Sequence, residues 1–115
     1  MKEIKKSNLE IKKSKFIALL YKVNNVNEVN SIIDELSREH KKARHIVYGY
    51  KIGNIEKNYS DKEPSGTTRG IIDIIHTKDL DNTLIVVVRY FGGILLGAGG
   101  LTRAYTKVVS HLFIE

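Results

Sequence analysis

Leu84-Ile85-Val86-Val87-Val88, five apolar residues with no polar interruption, constrains the fold of this 115-residue chain more than any other stretch. A strand with one wet face alternates, so an unbroken and largely β-branched run predicts a strand buried on both faces. Arg89, Tyr90 and Phe91 follow, and then five glycines within nine residues: Gly92, Gly93, Gly97, Gly99 and Gly100. From there Leu101, Ala104, Tyr105, Val108, Val109, Leu112 and Phe113 recur at the spacing of one helical face. A strand, a glycine loop and a helix in that order place unpaired N–H groups and the positive end of a helix dipole at the loop. With Arg89 and Arg103 on either side, the expectation is a concavity that seeks phosphate or carboxylate.

Upstream, residues 9–11 and 15–23 read as a hairpin around Lys12-Lys13-Ser14. Asn24, Asn25 and Asn27 supply turn and cap chemistry for a helix whose apolar side is Val26, Val29, Ile32, Ile33 and Leu36. Residues 43–53 predict a third strand, with Ile46, Tyr48, Tyr50 and Ile52 on one face and His45, Val47, Gly49 and Lys51 on the other. Polar residues dominate 54–69, which reads as a long loop or a short irregular strand. Residues 71–75 read as a short helix, and 78–82 as the turn into the central strand.

Charge is unevenly spread. The formal net charge is +6, and residues 1–22 hold seven Lys against Glu3 and Glu10. A basic edge attracts nucleic acid or acidic protein. Lysines also protect an edge strand from sheet-to-sheet pairing, and without interleaved aromatics that is the preferred reading here. There is no Cys, which excludes a disulfide scaffold, a thiol nucleophile and Cys-ligated zinc. With no long apolar run and no signal-peptide pattern, a cytoplasmic protein without membrane contact is expected. Residues 1–115 are expected to form a single domain, with neither repeat nor linker.

The glycines do not spell a known nucleotide motif. Gly92 and Gly97 have Walker-like spacing, yet Ala98 stands where the phosphate-gripping Lys belongs. Gly97-Ala98-Gly99-Gly100-Leu101-Thr102 opens like the dinucleotide fingerprint, but Thr102 replaces the last Gly. The four His residues show no paired spacing with a carboxylate, so neither a metal nor a cofactor is expected. His45, Asp61, Glu63, Ser65 and Thr67 are candidates to line a cleft, without forming a catalytic set. No catalytic residue is assigned.

The residues 60–67 (SDKEPSGT), 86–93 (VVVRYFGG), 96–105 (LGAGGLTRAY) and 12–16 (KKSKF) resemble the YigZ/Impact family, specifically its N-terminal Impact-type domain. Residues 43–50 (ARHIVYGY) are similar to the family's Ala-Thr-His strand. The resemblance implies an α+β two-layer sandwich of ribosomal-protein domain 2-like topology, with a mixed sheet and helices on one face. It also implies a cytosolic protein tied to translation control, in which eukaryotic members act by binding a partner and restraining a kinase. The family pattern has Gly where this chain has Lys62, and Gly-Thr-Ala-Gly-x-Pro where this chain has Gly66 to Ile71. Longer bacterial members carry a further C-terminal domain, so this chain is read as a short member or a fragment.

The resulting expectation is a non-enzymatic binding module with RNA, a ribosome-associated factor or another protein as partner. Arg69, Arg89 and Arg103 would supply charge, and Gly92, Gly93, Gly97, Gly99 and Gly100 the loop around the anion. Tyr90, Phe91 and Tyr105 are candidates to stack on a base. A phosphate-ester enzyme using Asp61, Glu63 and His45 is the alternative if those side chains converge near the loop. A second reading stays open for the arginines, in which Arg89 and Arg103 pair internally with Asp61 or Glu63.

Overall fold

The computed structural model describes residues 2–114. Five strands form one sheet in the order β1-β2-β5-β3-β4, with β1 at Lys5–Ile11, β2 at Ser14–Lys22, β3 at His45–Ile52, β4 at Ile55–Tyr59 and β5 at Thr83–Tyr90. The apolar run is therefore the middle strand, where backbone groups on both sides are paired and both faces are covered. Leu84 through Val88 are fully buried. Each such side chain contributes about 1.5–3 kcal/mol of transfer free energy, so this strand is a main source of stability.

Alternation along the strands sorts the core into two clusters. Leu19, Tyr21, Tyr48, Tyr50, Leu84, Val86 and Val88 meet Val29, Ile32 and Leu36 of α1 (Val26–Glu39). Phe16, Ala18, Leu20, Val47, Ile85 and Val87 meet α2 (Gly70–Thr77) and α3 (Gly97–Ser110) on the opposite face. A 3₁₀ turn at His111–Phe113 closes the described chain. The α+β class holds, while the single helical face does not: a central strand greasy on both sides needs a helix layer on each.

The mixed sheet is corrected too, since every neighbouring pair is antiparallel. The crossover β2-α1-β3 leaves β2 and β3 parallel to each other but one strand apart. β5 fills that gap and runs antiparallel to both. At the edge, β1 joins β2 through a two-residue turn with Lys12 and Lys13 at φ 49° and 68°, the backbone twist tight hairpins favour. Lys5 and Lys6 stand exposed on this edge, in keeping with strand protection. The stretch read as a long loop or a short irregular strand contains β4, whose five residues are all exposed.

Helix α1 begins on a reciprocal cap. The Asn25 side chain accepts from the Glu28 amide (2.9 Å), and Glu28 reaches back to accept from the Asn24 amide (2.6 Å). Among the described residues no helix is long and apolar enough to cross a membrane.

Candidate functional site

The antiparallel register of β3 and β5 sets His45 opposite Arg89, and the Arg44 amide donates to the Arg89 carbonyl at 2.8 Å. Residues far apart in the chain thus meet at one end of the sheet. The segment after β4 turns sharply there through Asp61 (φ 48°) and Lys62 (φ 65°), and this delivers Glu63 inward. A left-handed Lys is strained relative to Gly.

Glu63 is the hub of a buried cluster. Arg89 Nη1 donates to both of its oxygens, at 3.0 and 2.9 Å, and the Tyr105 hydroxyl donates to Oε2. Burial first, and the bond to Glu63 second, hold the Tyr105 phenol far above its usual range. His45 stands between two acids, with Nε2 3.5 Å from Glu63 and Nδ1 3.3 Å from Asp61. Asp61 is fixed in turn by the Ile46 amide (3.0 Å) and the Tyr59 hydroxyl (3.1 Å), a bond that also raises the Tyr59 phenol above its usual value. The internal pairing of Arg89 with Glu63 is therefore realised, yet it leaves Arg89 Nε buried and without a partner among the described residues.

Beside this cluster opens a hollow of about 310 Å³. Glu63, Arg89 and His45 form its inner wall; Phe91, Leu95, Leu96 and Leu101 form an apolar side; Gly97 and Ala98 bring in the start of α3. No side chain caps that helix, and no acidic residue lies in its first turn. Arg44 and Lys62 line the rim. Arg44 lies over the Phe91 ring at 4.6 Å, and neither it nor Lys62 has a carboxylate partner among the described residues.

The other candidates separate from this place. Arg69 pairs with Asp73 at 3.6 Å and lines a groove between α2 and α3. Arg103 is exposed on α3 and does not line the hollow. Tyr105 is fully buried and cannot stack on a base, and the Tyr90 hydroxyl shares a hydrogen bond with His40 Nδ1 at 2.6 Å. Ser65 is exposed in its loop, while Thr67 is buried and bonds the Pro64 carbonyl at 2.7 Å.

The glycines divide as well. A Cβ on Gly92 would lie 2.1 Å from the Lys13 carbonyl carbon, so that Gly stitches the loop to the first hairpin. Gly97 has φ +72° with open space where a Cβ would stand. Gly93 likewise faces open space, and Gly99 and Gly100 sit in the first turn of α3. Arg44 was missed by sequence reasoning, since only the β3–β5 register brings it to the loop. Among the described residues, no group of three His, Asp or Glu side chains is placed to hold a metal ion.

These features define a small α+β domain with a basic hollow at a glycine-rich helix start. The sequence profile of the Impact N-terminal domain matches residues 12–113, and the chain belongs to that family. It is 41% identical over 115 residues to the IMPACT family member YvyE of Bacillus subtilis, an alignment covering 96% of this chain and 53% of the relative. Identity to the IMPACT family member YigZ of Escherichia coli is 35% over 102 residues, 84% of this chain and 50% of that one. The chain thus spans about half the length of these relatives. A crystal structure described as that of a hypothetical protein superposes with TM-score 0.87 at 31% identity, covering 96% of this chain and 58% of that one. The two-domain translational regulator Yih1 superposes at TM-score 0.50 and 20% identity, over 96% and 46% of the two chains, and shares the fold.

Proposed function

We propose that this domain is a binding module of a translation-associated protein, holding RNA by its phosphates in the hollow at the start of α3. One observation carries the reading: Arg44 and Lys62, both without a carboxylate partner among the described residues, flank an uncapped helix N-terminus. The translation setting comes from the family and from the description of Yih1 as a translational regulator. RNA is favoured over a small anion because a second hollow, of similar size, adjoins the first across Arg44 and His45. It offers Lys41 and the half-exposed Tyr59 to a continuing strand.

Binding of short single-stranded RNAs across a salt series tests this. Neutralising two to three phosphates predicts a slope of log K against log salt of roughly −2. Arg44→Ala and Lys62→Ala should each make it shallower. A flat slope, or no RNA bound at low salt, removes the reading.

A protein partner is the second reading, favoured by Leu95 (81% exposed) and Ile94 (43%) at the tip of the same loop. Capture of a ribosomal component that Leu95→Ser abolishes, with no RNA affinity, would support that one instead. His45 lies within reach of both Asp61 and Glu63, the arrangement that phosphate-ester chemistry would use, yet Asp61 faces the second hollow and not the one at the glycine loop. Both imidazole nitrogens face carboxylates, however, and the Thr67 hydroxyl is committed to a carbonyl, so binding is preferred to turnover. Release of phosphate from a phosphate monoester, lost in His45→Gln, would reverse that preference.

A further inference from the structure

We infer that an acidic cavity beside α1 is a pocket for a guanidinium group carried on an aliphatic stem. The cavity holds about 410 Å³ and is lined by Lys2, Glu3, Tyr21, Glu35, Leu36 and Glu39, none of which lines the hollow at α3. Nothing in it depends on the RNA reading above.

The fold collects acids here. The Ile4 amide donates to the Leu20 carbonyl at 2.8 Å, which lays the segment before β1 along β2 and brings Glu3 to Tyr21. Glu35 and Glu39 stand four apart on α1, where like charges repel, and Glu39 ends the helix at the negative pole of its dipole. Lys2 is the one cation lining the cavity; Arg38, in the same last turn, does not line it. Glu35 is already engaged. The open acids are Glu3 and Glu39, neither with a partner among the described residues.

Tyr21 supplies a second, independent observation. It is only 3% exposed, yet its hydroxyl has no hydrogen-bond partner among the described residues. Burial first, and then the charges of Glu3, Glu35 and Glu39, push this phenol up to about 12, which places its hydroxyl end toward the acids. Unlike Arg89 Nε, that hydroxyl is not sealed in, and Tyr21 lines the cavity. Buried polar groups are nearly always satisfied. An N–H donor satisfies the phenol oxygen, and a charged one also relieves the glutamates.

Geometry selects the class of cation. Among the described residues no group of three acids is placed to hold a metal ion. A guanidinium sets five donors in one plane, enough to reach two carboxylates and a phenol together, where an ammonium is a point charge. Leu36 gives the stem an apolar contact.

The test follows backbone amide NMR spectra of the whole chain through titrations with free arginine, acetyl-Gly-Arg-Gly-amide, acetyl-Gly-Lys-Gly-amide and magnesium chloride. Both guanidinium probes should shift the amides of Tyr21, Leu36 and Glu39 and leave those of Gly97 and Ala98 in place. The arginine peptide should bind about fivefold tighter than the lysine peptide. Tighter binding of free arginine supports the pocket and makes a small molecule its source; equal or tighter binding of the peptide assigns it to an arginine of a partner protein. Tyr21→Phe should weaken both guanidinium probes about fivefold and Glu39→Gln about threefold. Circular-dichroism spectra should not change, since the hydroxyl has no protein partner and Glu39 is exposed. Equal affinity for the two peptides, magnesium shifts as large as those of the arginine peptide, parental affinity in both variants, or no shift with either guanidinium probe each overturns the inference and leaves the RNA reading standing.

Discussion

The inner wall and the outer rim of the hollow each carry an arginine, and the two behave in opposite ways. On the wall, Arg89 is buried and its charge is spent on Glu63, with Tyr105 and His45 completing the cluster. On the rim, Arg44 and Lys62 are exposed and have no described carboxylate to satisfy them. The glycines repeat the contrast: Gly92 exists because the Lys13 backbone presses against it, Gly97 because the chain turns left-handed into open space. A positive charge or a glycine near a loop therefore says little about ligand binding until its own neighbours are known. What matters is whether the protein has already used the group.

Glu63→Gln attacks this contrast hardest. It strands the Arg89 charge in a buried setting, and removing one partner of such a pair costs roughly 3–5 kcal/mol; urea unfolding measures it. In the protein that remains folded, the freed Arg89 should raise affinity for RNA, so the wall would take on the behaviour of the rim. A loss below about 1 kcal/mol would mean the wall is not the structural unit described.

The glycine pair comes next. Gly92→Ala should cost about 3 kcal/mol, because backbone has to move, whereas Gly97→Ala should cost only about 1 kcal/mol for the left-handed conformation. Thermal unfolding of the two variants side by side checks the order. Equal losses would erase the distinction drawn between them.

Tyr105→Phe has an equally small effect at neutral pH, about 1 kcal/mol for one lost hydrogen bond to Glu63. Its diagnostic value lies at high pH. The folded state keeps the Tyr105 proton where the unfolded chain, with a value near 10.0, releases it. The corresponding stability is thus full below pH 10 and is lost as pH rises above it. The variant should show a shallower alkaline decline than the parent; identical slopes would show that this phenol does not contribute.

Much of the fold was legible in local pattern. The double-sided burial of β5, the faces of β3, the apolar side of α1 and the helix after the glycines all follow from periodicities of two and 3.6. β5 is buried on both faces as read, while the expected placement of all helices on one face did not hold. β4 was legible only as one of two alternatives, because all five of its residues are exposed and no buried face marks the strand period. At the site, His45, Glu63 and Arg89 were identified by type and motif. Arg103 was drawn in by proximity in sequence but is exposed on α3 outside the hollow, and Arg69, which precedes α2, pairs with Asp73 in a different groove. Arg44 was overlooked because its neighbours there come from strand pairing, not from its own segment.

By itself, then, the sequence determined most of the strands and helices, that the middle strand is buried on both faces, and which family motifs the chain carries. These depend on short-range periodicity and on residue type, both written along the chain. Only the tertiary structure decided which cations are neutralised and which remain open, since that depends on the β3–β5 register and on where the turn at Asp61 and Lys62 delivers Glu63. Electrostatic pairing acts over a few ångströms in space, and residues 26 apart, such as Glu63 and Arg89, meet at that range only once the sheet has closed.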